Sequence, residues 1–297
     1  MIVLRLLKYK TTTRRPHSQP NIVVPLASIL PLPSMPSAAF PAKEGPSLDR
    51  KTVYLVTGAS RGLGKGLVQA FLLRPNSIVI AGLRNLDSQA SALDALPRGE
   101  NSSLIAVQLD SGSKSDPADA VSTLQRNYGI THLDVVIANA AIAANYGPAS
   151  TMPLEYLETH MQINAYAVLL LFQATRVLLQ AAASPQFICI GAPISTITEM
   201  ESCARAPLTN YALSKLAACY LVRKFHYENK WLVAYIVDPG HIQSDMGAQA
   251  ARLFGRKEAP TTIEESVAGI CARMAEADKN TTSGRFILFS DGSDVPW

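Results

Sequence analysis

Cysteine is scarce and scattered in this 297-residue chain. Cys189, Cys203, Cys219 and Cys271 form no CxxC pair and staple no short scaffold, which excludes a disulfide-framed secreted module. They read as ordinary buried thiols in a reducing compartment. The five histidines show no ligand spacing near those cysteines, so no metal is expected. Charge of one sign is also lacking. A balance of 27 Lys+Arg against 23 Asp+Glu leaves only +4, and no basic cluster is interleaved with aromatics, so no nucleic-acid partner is expected. Long hydrophobic runs are missing too. The most apolar internal stretch, residues 165–183, is interrupted by Gln173 and Arg176 and reads as a buried helix too short in its apolar run to cross a bilayer. What is present is 48% hydrophobic residues, enough to bury one substantial core.

Acid is absent from the beginning of the chain. No carboxylate precedes Glu44, while Arg5, Lys8, Lys10, Arg14 and Arg15 are basic. Eight of the 19 prolines fall between Pro16 and Pro46, which rules out a continuous helix or paired strand there. Residues 1–49 are therefore expected to be a Pro-rich basic extension, either disordered or targeting. Residues 1–10 suit a short basic amphipathic helix, and the composition of residues 1–45 resembles a mitochondrial presequence. Without such an address the protein is expected in the cytoplasm.

From residue 50 to residue 297 the texture is that of one α/β domain. Short aliphatic runs at 52–56, 78–81, 104–108, 135–138, 187–190, 232–237 and 286–289 read as strands. Segments of helical spacing separate them, at 63–73, 118–128, 154–183, 211–228 and 263–277. Near-continuous hydrophobic strands alternating with helices predict a Rossmann-type doubly wound parallel sheet of about seven strands, covered on both faces.

The loop running from Thr57 to Gly64 leaves the first strand and opens a helix. A strand that turns sharply into a helix aims free N–H groups and a positive dipole end at a pyrophosphate. Gly58 permits the turn, Gly62 lets backbone approach phosphate, and Gly64 allows close helix–strand packing. Gly58, Ser60, Arg61, Gly62, Leu63 and Gly64 are thus the candidate cofactor loop. An acidic residue at the end of the second strand would select a free ribose 2′-hydroxyl and repel a 2′-phosphate. Here that strand runs into Leu83, Arg84 and Asn85. Arg84 and Arg61 instead offer two guanidiniums to a phosphate, which predicts NADP(H).

Tyr211 and Lys215 are four apart on a predicted helix and so share a face. A neighbouring ammonium, together with the cation of an oxidised nicotinamide, favours phenolate and should draw the phenol pKa toward a working range. With this YxxxK element, the TGxxxGxG loop, Asn139-Ala140-Ala141 and Asp238-Pro239-Gly240, the chain resembles the short-chain dehydrogenases/reductases across residues 51–297. The segments from Pro239 to Gly247, from Glu264 to Val267 and from Asp291 to Trp297 bring it closest to the fungal norsolorinic acid ketoreductase group and sniffer-type carbonyl reductases. That resemblance implies that Tyr211 protonates a carbonyl oxygen while the cofactor gives hydride to carbon, and that Lys215 also holds the nicotinamide ribose. It implies further that Asp110 meets the adenine amino group, Asn139 the adenine ribose, and Asn164 a water relaying protons from Lys215. Ile242 and Ser244 would meet the carboxamide.

The chain departs from that family at its serine. Ungapped alignment puts Ala192 where the hydroxyl is usual, and Ser195 is the nearest substitute. Ala141 replaces a usual glycine, and His241 replaces a frequent tryptophan. Two readings follow. One is an NADP(H)-dependent ketoreductase acting on a small-molecule carbonyl, such as a polyketide, in a pocket roofed by residues 241–259. The other is an NADP(H)-binding protein with little turnover, serving as a redox sensor or scaffold. Residues 165–183 and 211–228 are candidates for a homo-dimer or homo-tetramer interface.

Overall fold

A computed structural model describes residues 50–297. The expectations placed on residues 1–49, including the presequence reading, lie outside the described residues.

The strands are β1 (Thr52–Thr57), β2 (Ser77–Leu83), β3 (Ser103–Gln108), β4 (Val135–Ala138), β5 (Gln186–Ile190), β6 (Val233–Asp238) and β7 (Phe286–Leu288). They form a single sheet in the order β3-β2-β1-β4-β5-β6-β7. Every pairing is parallel, as in Leu55 against Ile80 on one side and Val136 on the other. This is the expected doubly wound Rossmann-type sheet of seven strands.

β1 shows how the sheet buries both faces. Val53 and Leu55 enter one core, with Leu124, Leu171, Phe187 and Phe225. Tyr54 and Val56 enter the other, with Leu67, Phe71, Val267 and Ile270. Alternation along the strand feeds two apolar layers, and helices cap each. Because β1 lies between β2 and β4, the chain reverses direction of winding at that point. In open α/β sheets a crevice forms outside the carboxyl ends of the strands at such a reversal. Thr57, Asn139, Ile190 and Asp238 all stand at or just past those ends.

Residues 154–180 form one continuous helical rod: Leu154–Met161, a π-turn at Gln162–Tyr166, and Ala167–Gln180. Its most apolar 18-residue window has a mean hydropathy of 1.3, which by length and composition alone would pass for a membrane span. Val168, Leu171, Phe172, Leu178 and Leu179 are buried in the first core, which identifies it as a core helix of the sheet. Asp245–Leu253, in the predicted roof, is a helix that periodicity did not reveal.

Candidate active site

The glycine loop is shaped as a cradle. Gly58 and Gly62 adopt φ of +64° and +54°, where a side chain is strained. A methyl on Gly58 would lie 2.9 Å from the Ala140 Cα, and one on Gly64 would lie 2.6 Å from the Asn139 amide nitrogen. At Gly62 the space is open, with only the Ser244 Cβ at 3.7 Å. The helix that starts there has no side-chain cap and no acid in its first turn. An uncapped, positively polarised helix end above an open glycine fits a pyrophosphate. Ser60 is part-exposed at the turn, while Leu63 anchors the helix in the second core.

The groups expected around the adenosine are placed as follows. Arg84 is exposed at the end of β2. Arg61 is also exposed, and its guanidinium pairs with the Asp245 carboxylate across the loop. Asp110 accepts from the Gly112 N–H at 2.9 Å through one oxygen. Asn139 donates to the Thr57 and Gly58 carbonyls at 2.8 and 3.3 Å, which ties the end of β4 to the cradle. Thr57 completes that joint, because its hydroxyl oxygen accepts from Asn139 N and Ala140 N, both at 3.0 Å. Ser244 caps the Asp245–Leu253 helix by accepting from Gly247 N at 3.2 Å, and Ile242 is buried in a bridge to Thr261.

Tyr211 and Lys215 lie on the Thr209–Glu228 helix. Lys215 is 4% exposed, and its ammonium donates to the Ile190 carbonyl at 2.8 Å, at the end of β5. Its nitrogen is 6.0 Å from the Tyr211 ring centre, so the pair is assembled as the spacing predicts. The protonation balance differs from the expectation of a lowered phenol. Burial, then the Tyr146 phenol and the Asp238 carboxyl, hold Tyr211 above the ordinary phenol value. Burial lowers Lys215 in turn. Within the chain's own groups, desolvation outweighs the ammonium, which is committed to a backbone carbonyl. Asp238 is buried as well, and desolvation pushes its carboxyl up to about 6 against a hydrogen bond from Gly240 N.

Asn164 is buried in the π-turn, a device that rotates one residue out of the helical ladder. Its amide donates to the Ile142 carbonyl and the Ser214 hydroxyl, both at 2.9 Å, and its oxygen accepts from Ile142 N at 2.8 Å. It thus clamps the loop after β4 to the Thr209–Glu228 helix. Ser195 sits in a short 3-10 turn packed on that helix, where its hydroxyl donates to the Ala192 carbonyl at 2.8 Å and lies 3.8 Å from the Cys219 sulfur.

Sequence reasoning missed three positions. Asn210 donates to the Ala144 and Asn145 carbonyls at 3.1 and 3.0 Å and accepts from Tyr211 N at 3.0 Å. His160, 1% exposed, donates from Nδ1 to the Tyr156 carbonyl at 2.7 Å and accepts from Ala144 N at 3.3 Å. Tyr146 follows on the same loop, its hydroxyl donating to the Ala143 carbonyl at 2.9 Å. A polar residue flanking Tyr211 was the only signal available.

Above the site, His241 donates to the Gly247 carbonyl at 2.8 Å and fastens the roof helix. A cleft of about 520 Å³ opens between residues 201–207 and Leu253–Phe254. Among the described residues, no cluster of ligating side chains suits a metal ion.

The chain is similar to several known proteins. The model of the short chain dehydrogenase family matches residues 52–252. A norsolorinic acid ketoreductase of Emericella nidulans is 93% identical over 263 residues, covering 89% of this chain and all of that protein. Another from Aspergillus parasiticus is 60% identical, covering 86% of this chain and 94% of its own. Among solved structures, an NADPH-bound carbonyl reductase from chicken fatty liver superposes with a TM-score of 0.73 at 26% identity, covering 84% of this chain and all of that one. The carbonyl reductase Sniffer of D. melanogaster shares the fold, with a TM-score of 0.71 at 20% identity and the same coverage. On this match and its geometry, the chain belongs to the short-chain dehydrogenase family of oxidoreductases.

Proposed function

We propose that the protein is an NADPH-dependent ketoreductase of secondary metabolism whose substrate is norsolorinic acid or a related polyketide ketone. The observation that carries this reading is the pairing of Tyr211 with Lys215 beside an open glycine cradle. The relatives' named activity supplies the substrate. Bound NADPH supplies the hydride for the carbonyl carbon. Everything else falls to the chain. Gly58, Ser60, Arg61, Gly62, Leu63 and Gly64 line the cradle for the pyrophosphate. Arg84 and Arg61 would meet a 2′-phosphate, with Arg61 exchanging one anionic partner, Asp245, for another. Asp110 keeps one carboxylate oxygen for the adenine amino group, and Asn139 holds the loop edge at the adenine ribose. Ile242 and Ser244 face the carboxamide end.

Tyr211 gives its proton to the carbonyl oxygen. A phenol held above its usual value remains protonated at neutral pH, which suits an acid in the reducing direction. Lys215 holds its ammonium at the end of β5, where it would hold the nicotinamide ribose, and Asn164 fixes the loop through which protons would reach it. The cleft between residues 201–207 and the roof helix would take the body of the substrate. The cofactor-binding protein with little turnover is the less favoured reading, since relatives at 93% and 60% identity are named as ketoreductases.

For the assembly, exposed Tyr166, Val177, Leu213, Tyr220 and Tyr227 lie on the two helical segments expected to pair. A homo-dimer or homo-tetramer through that surface, in the cytoplasm, is part of the proposal. The test is oxidation of NADPH by the purified chain with norsolorinic acid, followed by product identification. Tyr211→Phe should lower kcat by about 10²–10⁴-fold while leaving NADPH binding intact.

A further inference from the structure

Ala192 leaves the loop after β5 without a hydroxyl at the position the family pattern implies for a serine, and the Ser195 hydroxyl donates to the Ala192 carbonyl and lies 3.8 Å from the Cys219 sulfur. As Tyr211 gives up its proton, position 192 supplies no second donor to the reacting oxygen. The loop after β4 offers one. Its backbone is fixed to the first turn of the catalytic helix on both sides of Tyr146. Before it, Asn210 binds the Ala144 and Asn145 carbonyls, and Asn145 turns the chain at a φ of +50°. After it, Gly147 bridges to Leu208. The phenol between these two anchors is part-buried, on a segment held against the residues that immediately precede Tyr211, and after burial it is the first cause that raises the Tyr211 phenol.

We propose that Tyr146 is a second catalytic residue, whose hydroxyl donates a hydrogen bond to the substrate carbonyl oxygen that Tyr211 protonates. The inference rests on the ketoreductase reading. In the free site the Tyr146 hydroxyl donates to the neutral Ala143 carbonyl at 2.9 Å. On reaction it turns to the substrate oxygen, a stronger acceptor because negative charge develops there. The exchange therefore gains most in the transition state, which is the condition for raising kcat. The bookkeeping is closed: hydride bonds to the carbonyl carbon, the C=O π pair moves to oxygen, and the Tyr211 proton follows it. Tyr146 keeps its own proton throughout.

The test uses the full chain with NADPH and norsolorinic acid. Tyr146→Phe should lower kcat by about 10²-fold, with NADPH affinity unchanged, as for loss of one oxyanion donor. Adding Ala192→Ser to Tyr146→Phe should recover about tenfold or more, because the family's hydroxyl then replaces the lost one. Ala192→Ser alone should change kcat by less than about threefold, since the second bond is already made. Thr196→Val, on the loop after β5, should also stay near wild type. Tyr146→Phe with wild-type kcat would overturn the assignment, as would a tenfold rise from Ala192→Ser alone, which remains decisive should Tyr146→Phe fold poorly. Wild-type turnover with an indifferent Tyr146→Phe defeats this inference only, whereas no wild-type turnover defeats the ketoreductase reading itself.

Discussion

Replacing Asp238 by asparagine should stabilise the protein, and do so more at high pH than at low. The carboxyl stands at the end of β6, 5% exposed, and its one hydrogen bond is from Gly240 N at 2.9 Å. Burial raises it from 3.8 to about 6. An acid whose folded pKa lies above its unfolded one binds more protons when folded. Its contribution therefore falls as pH rises through the window between those two values, and is fully unfavourable above it. At about 1.4 kcal/mol per tenfold change in proton affinity, the ionised carboxylate costs roughly 3 kcal/mol near pH 8 and about half that near pH 5. Asp238→Asn keeps the oxygen that accepts from Gly240 and removes the charge. Urea unfolding followed by fluorescence of Trp231 and Trp297 should show a gain of up to ~3 kcal/mol near pH 8, shrinking toward pH 5. Thermal unfolding should shift upward by several degrees in the same order. A loss of stability near pH 8, or a gain equal at both pH values, would refute the reasoning. The same substitution removes a negative neighbour of Tyr211, so the alkaline limb of kcat should move to lower pH.

Three further outcomes follow from the geometry. Arg84→Ala should weaken NADPH binding by about tenfold or more and leave NADH almost untouched, measured by fluorescence titration, because it removes one charge-assisted contact. Asp245→Asn should do the opposite and tighten NADPH slightly, by no more than about fivefold, since the exposed pair it releases is worth about 0–1 kcal/mol. Asn164→Ala strands the Ile142 N–H and carbonyl and the Ser214 hydroxyl. It should cost about 1–3 kcal/mol in urea unfolding and lower kcat with it.

The sheet was legible because parallel strands buried on both faces read as continuous aliphatic runs, and each of the seven lies within two residues of its expected position. The glycine loop was legible for a similar reason: turn, cradle and helix start are all local. The helix at Asp245–Leu253 was not. It is short, lies on the surface with only Gly247 and Ala251 buried, and carries a glycine that reads as a loop signal. That glycine is there because a methyl would collide with the Ile242 carbonyl oxygen. The π-turn at Gln162–Tyr166 leaves no composition signature, since its register is set by what Asn164 must reach. Asn210 is 65 positions from its partner Asn145, and Tyr146 lies on the loop that this contact holds, so only tertiary structure brings them to the helix. Ser195 shows a related limit: it was the nearest hydroxyl in sequence, and only the 3-10 turn Pro193–Ser195 reveals that its hydroxyl donates to the Ala192 carbonyl.

The measurement that bears most directly on the central claim is turnover by the purified chain, read from the near-ultraviolet absorbance of NADPH in the presence of norsolorinic acid. The account predicts consumption of one NADPH per alcohol formed, slowed by about 10²–10⁴-fold in Tyr211→Phe and likewise lowered in Lys215→Ala, with NADPH still bound by the phenylalanine variant. NADPH bound tightly by the wild-type chain but never oxidised, with norsolorinic acid and related ketones alike, would contradict it.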